Sequence, residues 1–383
     1  MTKLLSTPRL HDPGDLIAAV PHLLGFHPAD SLVLLAVERG EVALTLRVDL
    51  PAPDHPDGLA ERLVPPLARH PGAVAVAVVV GGGSGDPPED LPHDALVDDL
   101  EEALRAVGTP LVLAVWTRAT ARAEPWFDYH DAGTRGVVPD PTSTPLAAAT
   151  AARGYVTHPS REAMAGLLAP DPPELLSHRS ELLDRRAMGA ARPDPGVRAR
   201  HRDLVRAEVV RAAGRKRPLT DEEVADLAHA LGDPWVRDAS LAHCVGEHAG
   251  SAEVLWTELT RACPAPERAE PATLLAFSAY LRGMGSLASM ALERAEEAHP
   301  GHRLSELLRE ALDTGLPPDR LRRLAEQAAE NDCTSPEWSS PERLSSRFAS
   351  ERSCSERFAS ERSSSGCSCP DRASTDRTSR EVD

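Results

Sequence analysis

Along the first 120 residues apolar positions recur with two different periods. "SLVLLAV" (31–37), "VALTLRVDL" (42–50), "AVAVAVVV" (73–80) and "PLVLAVWT" (110–117) are short apolar runs rich in valine and leucine, the pattern of strands. In the second run Val42, Leu44, Leu46, Val48 and Leu50 alternate with mostly polar or small residues, so one face is buried. "AVAVAVVV" is apolar throughout and predicts a central strand covered on both faces. The intervening segments have helical spacing. "HDPGDLIAAV" opens a helix, with Asp12 placed to cap it and Pro13 at the first helical position, where its missing N–H costs nothing. "DGLAERLVPPLARH" predicts a helix interrupted or ended near Pro65-Pro66, and "DALVDDLEEALRAVG" an amphipathic helix stopped at Gly108. "ERGE" between the first two strands predicts a hairpin. The expectation is a layered α/β domain with a mixed sheet over residues 1–143.

Strand signals cease near residue 145. Helical patterns follow at 144–154, 160–168, 173–189, 196–213, 220–231, 251–262, 271–282, 285–298, 303–314 and 317–330, which predicts an all-α domain over 144–331. Within it, "PATLLAFSAYLRGMGSLASMALERAEEAHPGH" has the two-helix form of a tetratricopeptide unit, with Ala288, Leu292, Ala295 and Pro300 at matching spacing. One unit cannot bury its own face, so a helical hairpin packed on its neighbours is expected. From 332 to 383 the chain becomes a Ser/Arg/Glu tail that repeats "RFASERS" at 347 and 357. So little apolar material cannot offset the entropy of ordering, and the tail is predicted to be disordered.

Composition narrows the function classes. The chain has one isoleucine, one glutamine, one asparagine and two lysines against abundant Ala, Arg, Pro, Asp and Glu, the signature of a very GC-rich bacterial genome. Many arginines are then compositional, which weakens any argument from arginine to phosphate. The formal charge of −17 opposes binding of nucleic acid or anionic lipid by the chain as a whole. No run reaches the ~20 apolar residues of a membrane helix, and the first residues lack the apolar stretch of a signal peptide. Only Cys244 and Cys263 fall in folded sequence, and Cys367 and Cys369 lack the second pair that a structural zinc site needs. A cytoplasmic protein with no metal and no cofactor is expected.

The opening "DLIAAVPHLLGFHPADSLVLLAV" (15–37), followed by "RVDLP", resembles the start of an actinobacterial family of unknown function, DUF4192. "PLVLAVWT", Trp126 with Tyr129, "SREAMAGLLAP" and "LLAFSAYLRGMGSLASMALERA" agree, so the resemblance covers roughly residues 5 to 330. It implies no reaction, substrate or catalytic residue. Members commonly carry a Cys-Cys-Pro-Pro-x-Gly stretch after the tryptophan. Here Val137-Val138 precede Pro139 instead, so any thiol chemistry of that pair is lost from this chain.

Four stretches hold candidate chemistry. In "GFHPADS", His27 and Asp30 form either a polar site or a turn between helix and strand, and their place at the amino end of strand 31–37 favours the turn. "GGGSGDPPED" (81–90) follows a core strand, as a phosphate loop would, but the acidic run after it and the wrong glycine spacing favour a flexible loop. "WFDYHD" (126–131) gathers Trp126, Asp128, Tyr129 and His130 just beyond a strand, either as an interdomain ligand pocket or as a plug between domains. Residues 185–217 hold eleven Arg/Lys against three acids. Arg198, Arg202 and Arg206 there share one helical face, as a partner surface, a solvated face or one docked on the acidic helix. The leading expectation is a non-catalytic binding or regulatory protein that meets a protein partner through the helical domain. The alternative is a small-molecule enzyme or sensor with its pocket around Trp126–Asp131.

Overall fold

The two residues that join the first strands have left-handed backbones, Arg39 at φ 53° and Gly40 at φ 82°, so the chain turns back on itself in a two-residue hairpin. The computed structural model describes residues 12–51, 58–70, 72–83, 90–189 and 194–330. The hairpin joins β1 (Ser31–Glu38) to β2 (Glu41–Asp49). Ahead of them lies α1 (Pro13–Leu24), capped by Asp12 through a 2.7 Å bond from the Gly14 N–H, with Gly25 at φ 83° closing it. After them come α2 (Leu59–Ala68), β3 (Val74–Val80), α3 (Asp94–Ala106), β4 (Leu111–Thr117), β5 (Pro125–Asp128) and β6 (Arg135–Val137). The helix α2 runs through Pro65 and Pro66 and ends two residues later, because Arg69 and His70 close it with bonds to Pro66 and Leu67.

The six strands form one sheet in the order β2-β1-β3-β4-β5-β6. Only β3 and β4 are parallel, joined by the α3 crossover, and every other neighbour is antiparallel. The period of two divides the sheet into two apolar faces. Leu32, Leu34, Ala36, Ala75, Ala77, Val79, Ala114 and Trp116 pack against Leu59, Leu63 and Leu67 of α2 and Leu96, Leu100 and Leu104 of α3. Val33, Leu35, Val76, Val78, Val80 and Val115 on the other face are also buried. β3 is therefore covered on both faces, as its unbroken run of apolar residues requires. β5 and β6 carry too few residues to show a period, and a Pro and a Gly sit in them.

Beyond β6 the described residues contain no further strand. The helices are α4 (Pro145–Ala152), α5 (Arg161–Ala165), α6 (Pro173–Gly189), α7 (Pro195–Ala212) and α8 (Asp221–Leu231). There follow α9 (Pro234–Ser240), α10 (Ala249–Ala262), α11 (Ala269–Leu281), α12 (Gly285–Ala298), α13 (Arg303–Asp313) and α14 (Pro318–Glu330). The helix α9, at seven residues, is too short to show as a periodic segment. α11 pairs with α12 as a helical hairpin and is buried around nearly its whole circumference. No described helix is long and apolar enough to cross a membrane.

Sheet and helices belong to one compact unit. His22 of α1 holds Thr157 Oγ1 at 2.8 Å through Nδ1 and the Pro141 carbonyl at 2.8 Å through Nε2. Phe26 bridges His158, and Gly315 lies against Pro66 and Leu44, where a Cβ would come within 3.4 and 3.6 Å. The repetitive tail from 332, with its four cysteines, lies outside the described residues, as do 84–89 of the glycine-rich stretch.

Candidate functional site

The sheet register sets one edge. Ser31 pairs with Val80, Val80 with Thr117, and Thr117 with Trp126. Because β1 is antiparallel to β3, the amino end of β1 lies at the carboxyl ends of β3 and β4. "GFHPADS" thus arrives at the edge where α/β sheets keep their ligands, and the sequence argument that put it at the less usual end is corrected by the antiparallel pairing.

At this edge Gly81 and Gly82 leave β3 with φ 79° and 75°. The Gly81 N–H bonds Thr117 O at 2.9 Å, and its carbonyl accepts Trp116 Nε1–H at 2.8 Å. The Gly82 N–H bonds Asp30 Oδ1 at 3.0 Å. The start of the glycine stretch is therefore tied down. Both glycines are sterically required. A Cβ on Gly81 would lie 2.5 Å from Asp30 Oδ1 and 3.0 Å from its backbone nitrogen, and one on Gly82 would lie 2.6 Å from His93 Nε2. Four described non-glycine residues have positive φ, and two of them, Asp30 (42°) and His93 (60°), face these glycines. Strained backbone of this kind persists where the surroundings over-determine it.

The side chains here have hydrogen-bonding capacity to spare. The His93 carbonyl accepts from the Leu96 and Val97 N–H groups, but its half-buried side chain makes no hydrogen bond or ion pair among the described residues. Burial holds its imidazole below the ordinary range, with Asp30 pulling weakly the other way. His27 is half-buried and uses Nδ1 on Thr120 Oγ1 at 3.0 Å, which leaves Nε2 unengaged. Burial, and secondarily His22, lowers its pKa too. Asp30 is exposed, and among the described residues its side chain is engaged through Oδ1. The nearby cations are committed. Arg47 is bound to Ser31 and Asp49, and Arg118 to Glu124. No set of three metal-ligating side chains converges among the described residues.

"WFDYHD" takes another form. It begins in β5 rather than in a loop, and strand alternation splits it between the two faces of the sheet. Trp126, 4% exposed, packs between Gly14 and Gly136, and its Nε1 has no hydrogen-bond partner. Phe127 and Tyr129 join the core under α2 and α3. Asp128 Oδ1 accepts the N–H groups of His130 and Asp131 at 2.7 and 3.1 Å, which shapes the turn toward β6. The Tyr129 hydroxyl donates to the Pro92 carbonyl, one residue before His93, and burial pushes its pKa up. His130 Nε2 lies 3.2 Å from Glu101 on α3.

The basic helix α7 packs on α8, α9 and α10, and the acidic α3 is not among the elements it packs on extensively. Arg198 Nε donates to Asp233 at 2.8 Å. The Arg202 guanidinium lies 5.8 Å from the Trp235 ring centre, and Arg206 is 64% exposed, 4.0 Å from Asp203. Of the residues at the carboxyl edge, sequence reasoning had not singled out His93. Its only local signal is a histidine at the helix start, where a Ser, Thr, Asp or Asn cap is usual.

Neither the curated proteins nor the solved structures contain a match to the chain. One protein family does, described as a domain of unknown function (DUF4192), and it matches residues 13–319, from α1 to the start of α14. That span takes in the sheet, both histidines of "PHLLGFHPADS", the tied glycines and His93, and the chain belongs to the DUF4192 family.

Proposed function

We propose that this chain is a non-catalytic, ligand-binding protein of an actinobacterial cytoplasm, and that its ligand docks at the carboxyl edge of β3 and β4 on Asp30 and His93, which both meet Gly82. The observation that carries this reading is the unspent capacity there: the half-buried His93 imidazole has no partner among the described residues, and the Asp30 carboxylate has one oxygen unengaged among them. Groups that face solvent with a free donor or acceptor are open to a ligand that can hydrogen-bond them. Binding is favoured over catalysis because Asp30 does not hydrogen-bond His93. A catalytic carboxylate normally orients its imidazole through such a bond. Trp126, Asp128, Tyr129 and His130 then act as scaffold, with the Tyr129–Pro92 bond setting the position of His93. The GC-rich composition and the resemblance of the opening segment to an actinobacterial family support the bacterial origin.

A partner surface on Arg198, Arg202 and Arg206 is supported less, since Arg198 already has a carboxylate and Arg202 an aromatic face. Native mass spectrometry of the full chain, purified gently from an actinobacterial host, tests the two together. A small stoichiometric adduct is expected, lost in Asp30→Asn and His93→Gln and kept in Arg206→Glu. An adduct indifferent to the first two variants, or a bound protein lost only in Arg206→Glu, would overturn the edge site.

A further inference from the structure

Two arginines packed among the helices are matched by carboxylates, Arg179 by Asp171 and Asp221, and Arg237 by Asp238 and Glu270. A third, Arg268 at the turn from α10 into α11, is 9% exposed and has no such match. Its Nε–H donates to the Cys263 carbonyl at 3.0 Å, and among the described residues its side chain makes no other hydrogen bond and no ion pair. The carboxyl end of α10, where Cys263 sits, favours a nearby cation. One carbonyl does not neutralise a guanidinium, however, and a buried charge is normally paired. Burial lowers the pKa of Arg268, yet an arginine is not deprotonated in a protein, so the charge remains. None of its nitrogens is among the polar atoms sealed from solvent without a partner. The unbonded end of the fork, Nη1 and Nη2, therefore opens to the surface.

The neighbouring charges do not fill this place. Asp171 and Glu297 act on Arg268 only from beyond ion-pair distance, and each is already held, Asp171 by Arg179 at 2.7 Å and Glu297 by Arg294 at 2.8 Å. The donors decide which anion fits. The start of α11 has no backbone donor to spare for a phosphate: the Ala269 N–H is bonded to Pro266 O at 3.0 Å, the Glu270 N–H to Glu267 O at 3.2 Å, and Pro271 has none. The paired N–H groups of a single guanidinium match the two oxygens of a carboxylate, and Asp171 and Glu297 weigh against a second negative charge. We infer that Arg268 is the binding group for a small monocarboxylate, held by Nη1 and Nη2 at a site separate from the sheet edge.

Sodium acetate is the probe, with sodium phosphate as the other anion and sodium chloride as the reference at equal ionic strength, all on the full chain. A ligand of the folded state raises the urea midpoint. Comparing the wild type with Arg268→Lys, which keeps the charge but loses the fork, cancels the general action of each salt on folding. Acetate is expected to raise the midpoint of the wild type saturably beyond that of the variant, at a half-effect concentration about tenfold or more below that of phosphate. The inference is overturned if acetate raises both proteins alike, or if phosphate separates them at lower concentration than acetate. Saturation transfer from the wild-type protein to the acetate methyl signal needs no variant, and its absence overturns the inference as well. Either outcome leaves the edge site untouched, because that site is read from Asp30 and His93.

Discussion

At the scale of single residues, the edge depends on two glycines more than on any functional side chain. Gly82 has φ 75°, and a Cβ there would meet His93 Nε2 at 2.6 Å and Leu50 Cδ1 at 2.9 Å. Gly82→Ala combines a left-handed backbone penalty with a steric clash, together costing about 1–3 kcal/mol. It should lower the unfolding free energy by that amount, read as a lower urea midpoint, and move the His93 Cε1–H signal. If the midpoint falls and the His93 signal stays, the close approach of His93 to the loop is wrong. The glycine run itself is plain in the sequence, as are His27 and Asp30 in "GFHPADS". Their meeting is not, because Asp30 and Gly82 lie 52 residues apart and only strand register brings them together. His93 was hidden for a related reason: a lone histidine before an amphipathic helix has no period and no motif, and its importance comes from what it faces.

Among elements, the long periodic ones formed where the pattern placed them, from α1 and its Asp12 cap to the central strand β3. The pattern failed at β5 and β6, where three or four residues carry no period and tertiary pairing makes the strand. That failure also hid the strand in which "WFDYHD" begins. Charged links between helices were equally invisible, since a GC-rich composition scatters arginine everywhere. Arg179 of α6, 5% exposed, is the clearest case. It donates to Asp171 and Asp221 at 2.7 Å each and to the Ala262 carbonyl at 2.8 Å, which joins α6 to α8 and to the end of α10. Arg179→Met leaves two half-buried carboxylates with the more distant Arg261 and His178, at 3.6 and 3.9 Å, and should cost about 3–5 kcal/mol, read as a lower urea midpoint at unchanged slope. A loss below about 1 kcal/mol, the range of a solvated pair, would show that the link is incidental.

For the whole molecule, proton binding couples to folding through half-buried imidazoles. His27, His93 and His201 all sit below the 6.5 of a free imidazole, with burial the largest cause in each. The folded chain therefore binds fewer protons than the unfolded one once the pH falls below 6.5, and stability rises with pH across that window. The expected result is a lower urea midpoint at pH 5.5 than at pH 7.5, with a smaller difference in the His93→Gln, His201→Gln double variant. An undiminished difference in that variant would assign the acid sensitivity to other groups.

Gly315, which lies against Pro66 and Leu44, closes the molecule from its far end. In the order of synthesis the strand that carries Leu44 leaves the ribosome roughly 270 residues before the glycine that will sit beside it. At roughly 5–20 residues per second that interval is on the order of 15–50 seconds. During that time the outer strand and the proline turn of α2 lack one of their native neighbours. Nine residues of half-buried strand, flanked by Glu41 and Asp49, must stay out of contact with other nascent chains meanwhile. The two acidic ends discourage such pairing, which gives them a role while the protein is being made as well as a place in its finished fold.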